Sequence, residues 1–227
     1  MHNWIMCTYV GLDPGGIGGF GWAILSGETL PLKLVGRGIA DHAQGSYEAA
    51  VQCAGNAKIN AVGIDAPLFW IPDGDRRADK TVRRAITHLG AHGGTVGAVN
   101  ALRGACLIQG IIAAMICQRR LPKGLSITEA HPKALLWLVG KATPAHRPGD
   151  VALIDLSEYI VGDKVQGAND HERDASLAAF TAFAMESQLS GWRDLYALEI
   201  GAITPLDPPP GYWMPLNPSP DPNSKQS

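Results

Sequence analysis

The sequence predicts an α/β fold: a mixed five-stranded sheet, made of a three-strand meander plus helix-linked strands, with helices on its faces. Three observations lead there. Three short apolar runs fall within the first 40 residues and are joined by links too short for crossovers, which suits antiparallel strands. Two later apolar runs, 61–68 and 125–129, each follow a helical stretch that can serve as a crossover to a parallel strand. The chain has 227 residues, 46% of them apolar and 18% charged, enough for one domain with a sizeable core.

Residues 5–13 predict the first strand, ended by Asp13-Pro-Gly-Gly, a strong turn signal. Residues 19–26 and 32–39 predict the second and third. The Ala-rich stretch 46–58 predicts a helix. Residues 61–68 predict the fourth strand, where Pro67 biases Ala66 away from helix and helps to end the element. A first insertion, 70–99, is dense in charge over 73–84 and loop-like at Gly93-Gly94. Over 101–118, Ala105, Ile108, Ile112 and Met115 recur at helical spacing and predict a buried helix. Residues 125–129 predict the fifth strand. Pro132, at a first helical position, starts a short helix through 138. The second insertion, 132–167, is punctuated by Pro and Gly, with a helix expected near 151–160. Asn169 or Asp170 caps a helix running to about 188. Residues 1–204 therefore read as a single domain. The Pro-, Asn- and Ser-rich stretch 205–227 reads as a flexible tail, against which Tyr212 and Trp213 offer the means of packing back.

Composition narrows the function. A formal net charge of −2 supplies no global attraction to nucleic acid or anionic membrane, so any nucleic-acid contact must come from a local basic patch or from metal ions. Cys7, Cys53, Cys106 and Cys117 are scattered, none in a C-x-x-C pair, which argues against a zinc site. The opening residues lack the basic region and cleavage pattern of a signal peptide. The most apolar stretch, 105–117, is too short to span a bilayer. The expected setting is the reducing cytoplasm, with no membrane partner.

Four acids stand where regular structure stops. Asp13, Asp65 and Glu129 each end an apolar run, and Asp174 opens the last long helix. Carboxylates gathered from strand ends and a helix can converge on a hard divalent cation. Each acid also has a structural alternative: Asp13 as a turn former, Asp65 as a loop cap, Glu129 as a cap for the helix begun at Pro132, and Asp174 as an acid favoured by the helix dipole. His171 lies three residues before Asp174 on the same helical face, placed either for proton transfer or simply in an exposed first turn. His131, two residues after Glu129, shares its side of an extended strand. Arg76, Lys80, Arg83 and Arg84 fall at i, i+4, i+7 and i+8, a basic face suited to phosphates or, diluted by Asp73, Asp75 and Asp79, a solvated ion-paired surface. Arg103 heads the buried helix and is a further candidate for substrate binding.

The segments Gly11-Leu-Asp-Pro-Gly and Gly19-Phe-Gly-Trp-Ala-Ile are similar to the opening strands of Holliday-junction resolvases. A wider set resembles a family of predicted RNase H-like nucleases: Ile64-Asp-Ala-Pro-Leu, Arg76-Arg-Ala-Asp with Arg83-Arg84, Glu129-Ala-His-Pro, and His171-Glu-Arg-Asp-Ala heading an Ala-rich helix. The resemblance spans about residues 8–187. It implies an RNase H-like fold and metal-dependent hydrolysis of nucleic-acid phosphodiester bonds. It further implies catalytic metal, Mg2+ or Mn2+, held by Asp13, Glu129 and Asp174, with Asp65 as the acid the family adds. The resolvases carry their second acid on the fourth strand, where this chain has Asp65, so the resemblance leaves open which of the four bind metal. Two other readings share the core: an actin-like nucleotide-binding phosphotransferase or ATPase, for which the Gly-rich loop after Asp13 resembles a phosphate cradle, and a non-catalytic nucleic-acid-binding module.

Overall fold

The computed structural model describes residues 7–16, 18–72, 75–97, 99, 104–144, 154–162 and 169–216. The chain opens with strands β1 (Thr8–Asp13), β2 (Phe20–Ser26) and β3 (Leu32–Ala40), then helix α1 (Ala43–Ala54) and strand β4 (Ile59–Ile64). Helices α2 (Arg77–His88) and α3 (Gly104–Arg120) precede β5 (Ser126–Glu129), which leads into α4 (Pro132–Leu138). Then come β6 (Ile160–Val161), α5 (Asp170–Glu186), β7 (Arg193–Asp194) and β8 (Gly211–Met214). The strands form one mixed sheet in the order β6–β3–β2–β1–β4–β5–β8–β7. β1 to β3 are an antiparallel meander, and β4 and β5 lie parallel to β1, as the short and long connections require.

The α/β class is as expected, but the sheet has eight strands rather than five. Two departures account for the additions. The stretch expected to be helical near 151–160 is, over the described residues 154–161, a turn followed by β6, which pairs with the start of β3. The expected tail supplies β8, which lies parallel to β5 and antiparallel to β7. Tyr212 and Met214 are fully buried there. Composition reports what a segment can bury alone; here the partners are supplied by β5 and α2.

Alternation along the strands sorts side chains to two faces. Val10, Leu12, Ile24, Val62, Ile64 and Ile127 point to the side covered by α1 and α3. Tyr9, Ala23, Leu25 and Ala61 point to the side covered by α5 and α4. Helix α5 is buried on every residue from Arg173 to Met185. It lies almost against the backbone of the sheet, because the sheet is bare beneath it. A Cβ on Gly11 would sit 1.7 Å from the Ala175 carbonyl oxygen, one on Gly63 1.9 Å from that of Ala178, and one on Gly21 2.2 Å from that of His171. Gly11 and Gly63 are neighbours across β1 and β4. These contacts are with backbone, which cannot rotate away. Gly11→Ala is therefore expected to cost at least about 3 kcal/mol, the upper end for overpacking, seen as a lower midpoint in urea unfolding. The same close approach carries the start of α5 to the end of β1.

Candidate functional site

Register places the first two acids. Leu12 on β1 pairs with Ile64 on β4, and the Asp65 amide donates to the Leu12 carbonyl at 2.9 Å. Asp13 and Asp65 thus leave adjacent parallel strands at one level. They share the parity of Gly11 and Gly63, so both turn to the α5 face. Asp174 comes from the first turns of α5, whose start is set by a capping box. The Glu172 amide donates to Asn169 Oδ1 at 2.8 Å, and Glu172 reaches back to the Asn169 amide. Asn169 is the cap; Asp170 instead accepts from Arg173 at 3.1 Å.

His171, half-exposed, lies under the loop after β1. Its Nδ1 stands 2.6 Å from Asp13 Oδ2, and its ring packs near Gly15 and Gly19. The bond to Asp13, only partly opposed by burial, raises the imidazole above its usual range and favours the cation. A raised histidine stabilises the fold fully below its unfolded value of about 6.5 and loses that contribution as pH rises through the folded value. The melting temperature of the native protein, relative to His171→Gln, is expected to fall as pH is raised from about 6.5, a trend that thermal scans across neutral pH measure.

Asp65 stands at the end of β4 between the other two acids. Burial first, then the charges of Asp13 and Asp174, push it well above the usual carboxylate range, against a smaller opposing pull from Lys133. Asp174 is also raised, by burial above all, although Arg173 donates to its Oδ1 at 2.8 and 3.1 Å. Its Oδ2 lies 3.8 Å from Lys133 Nζ. Asp13, Asp65, Thr95, Cys106, His131 and Lys133 line a cavity of about 180 Å3. Burial, with Asp65 and Asp13 nearby, pushes the Cys106 thiol up to about 12, which keeps it neutral.

Glu129 does not join this cluster, contrary to expectation. It pairs in register with Ile64, so it points away from Asp13 and Asp65 and is fully buried. Arg76 grips it with both terminal nitrogens, Nη1 to Oε2 at 2.8 Å and Nη2 to Oε1 at 2.6 Å. His131 Nε2 stands 2.8 Å from Oε1, and the Leu68 amide donates to Oε2 at 3.0 Å. Burial alone would raise this carboxyl; Arg76 and His131 outweigh it and hold it down at about 2. Arg76 also donates to both oxygens of Asp79 at 2.8 Å and lies over the Phe69 ring. The Tyr212 hydroxyl donates to Asp79 at 3.1 Å. Asp79, Glu129 and His131 offer ligand atoms within 4.8 Å of one another, a spacing a metal can use. Their oxygens are already taken by the Arg76 fork, which a cation would have to displace.

The expected basic face is divided by the same cluster. Arg76 precedes α2 and is buried, out of reach of a substrate. Lys80 and Arg83 both pair with Asp75, and Arg84 is exposed. Arg103 lies outside the described residues.

Two participants were missed in the sequence. Lys133 is a cation in the first turn of a helix, where the dipole disfavours it; that mismatch was a readable signal. Asp79 shows only as an i, i+3 partner of Arg76, a pattern common on solvated helices. No protein-family model, curated protein or solved structure matches the chain. No described helix is long and apolar enough to cross a membrane.

Proposed function

We propose that this protein is a metal-dependent phosphodiesterase acting on nucleic acid, with Mg2+ or Mn2+ held by Asp13, Asp65 and Asp174. The observation that carries the reading is the register that sets Asp13 beside Asp65 on the face where α5 presents Asp174. The antiparallel meander followed by parallel β4 and β5, with acids at the ends of β1 and β4 and at the start of α5, supports an RNase H-like core.

The donor type is the one a hard divalent cation takes: carboxylate oxygens, with Asp65 crowded by like charge. Among the described residues only Asp79, Glu129 and His131 already stand at metal-ligand spacing, so a cation would have to draw Asp13, Asp65 and Asp174 together. A cation bound there would supply activation of water and neutralisation of charge on the phosphate oxygens. The chain's own groups do the rest. Asp13 orients His171, whose ring can hold or release a proton beside the reacting phosphate. Lys133 Nζ, exposed at the cavity wall, is placed to meet a non-bridging phosphate oxygen. Glu129 acts from behind: by accepting from the Leu68 amide it fixes the turn that carries Asp65.

The test is a panel of RNA, DNA and branched substrates with Mn2+. Cleavage that chelator abolishes and that Asp13→Asn loses is the expected result. Thermal stabilisation by ATP with no diester cleaved would turn the reading to a phosphotransferase. Nucleic-acid binding indifferent to chelator, without turnover, would turn it to a binding module.

A further inference from the structure

Beside the acidic cavity runs a second one of about 200 Å3, and its lining is almost wholly apolar. Pro67 lines both, so the two are neighbours across one turn of chain. Trp70, Leu107, Ile111 and Ile203 form its walls. Trp70 is 40% exposed and Ile203 59%, and the two face each other across a β-bridge, so together they present one apolar surface to solvent. The groove is also held open. The Trp70 and Ile203 backbones exchange hydrogen bonds at 2.8 and 2.7 Å, and the Thr204 hydroxyl donates to the Leu68 carbonyl at 2.8 Å. Beneath it, Arg76 lies over the Phe69 ring and donates to the Phe69 carbonyl. The wall is therefore built in advance of any occupant.

We propose that this groove seats an unpaired nucleobase, stacked against Trp70, next to the phosphodiester held at the acidic cavity. The proposal rests on the phosphodiesterase reading and adds the substrate class, single-stranded or locally unpaired nucleic acid. The chemistry of the lining selects that occupant. A base offers a flat apolar face and is tethered to a phosphate, so it suits an aromatic wall that adjoins a phosphate site. The backbone groups of the wall named above already bond to one another and leave nothing to read base edges. Recognition is then by stacking and tolerates any base. A base inside a duplex cannot reach the groove without leaving its stack.

Fluorescence anisotropy with the full chain tests this, using calcium in place of manganese to limit turnover. The probes are a labelled eight-residue oligothymidylate, the same backbone with abasic sites, and a blunt duplex. Base-bearing single strands are expected to bind about 5- to 150-fold more tightly than abasic ones, the range that stacking one base on an aromatic ring supplies. Trp70→Leu is expected to bring the two together while the protein still melts cooperatively. Equal binding of base-bearing and abasic strands by the native protein overturns the proposal, whether or not the variant folds. So does a concentration-dependent dimer that Trp70→Leu dissolves, since a second copy would then occupy the groove. Manganese-dependent cleavage, measured on the same probes, separates the two readings. Cleavage without base dependence overturns the groove alone. Base-dependent binding without cleavage supports the groove and overturns the phosphodiesterase.

Discussion

Asp65→Asn is expected to raise the melting temperature of the metal-free protein and to lower manganese-dependent cleavage by two or more orders of magnitude. The opposite signs share one cause. Burial and the charges of Asp13 and Asp174 hold the Asp65 carboxyl well above its ordinary value. Below an unfolded value of about 3.9 the group is protonated in both states and contributes no difference. As pH rises from there through the folded value, the unfolded chain ionises more readily, and the fold loses stability relative to it. Asparagine removes that loss, so the gain should be present at neutral pH and absent below about pH 4. Each 1 kcal/mol recovered corresponds to about 2–4 °C in a chain of this size. A cation that binds the native site stabilises it by mass action, so manganese should raise the melting temperature of the native protein and leave Asp65→Asn nearly unmoved. Retained cleavage in Asp65→Asn would remove this residue from the site. A lowered melting temperature would show that the carboxylate has a donor or ion pair that outweighs the crowding.

Arg76→Leu is expected to be the most damaging single change to stability, by about 3–5 kcal/mol, the usual cost of removing one partner from a buried ionic cluster. Glu129 and Asp79 are fully buried, and Arg76 bonds to all four of their oxygens. Its loss strands two carboxylates where solvent cannot reach. The expected fall in melting temperature is roughly 6–20 °C. Arg76→Lys should rescue little, since an ammonium cannot make two parallel pairs at once. Acid should mimic the lesion: a carboxyl held down at about 2 contributes stability above its unfolded value of about 4.3 and loses it as pH falls towards 2. A variant in which Arg76, Asp79 and Glu129 are replaced together by apolar residues should recover much of the stability. It should still lose activity, because Glu129 no longer anchors the Leu68 amide behind Asp65. An Arg76→Leu protein that melts like the native one would show that the cluster is solvated.

Local signals carried much of this molecule. Asp13-Pro-Gly-Gly ended β1 where turn chemistry said it would, Pro132 opened α4, and Asn169 capped α5. Asp13, Asp65 and Asp174 were visible because a charge at the edge of an apolar run needs a reason. Glu129 gave the same signal for a different reason. Its position fits a metal ligand or an ion pair equally well until the β4–β5 register turns it away from Asp65 and towards Arg76. Arg76 likewise looked like one tooth of a basic helix face, and only its burial between two acids gives it another role.

Residues 205–216 mark the boundary between the two kinds of information. Turn residues, caps and apolar period act over a few positions, so the chain alone carries the first five strands, the helices between them and α5, and the places where acids interrupt them. Which acid faces a cavity, which is silenced by an arginine, and whether a Pro-rich end joins the sheet depend on partners tens of residues distant. Those partners meet only when strands take their register and three bare glycines let α5 settle on them, because burial and Coulomb interaction are properties of neighbours in space.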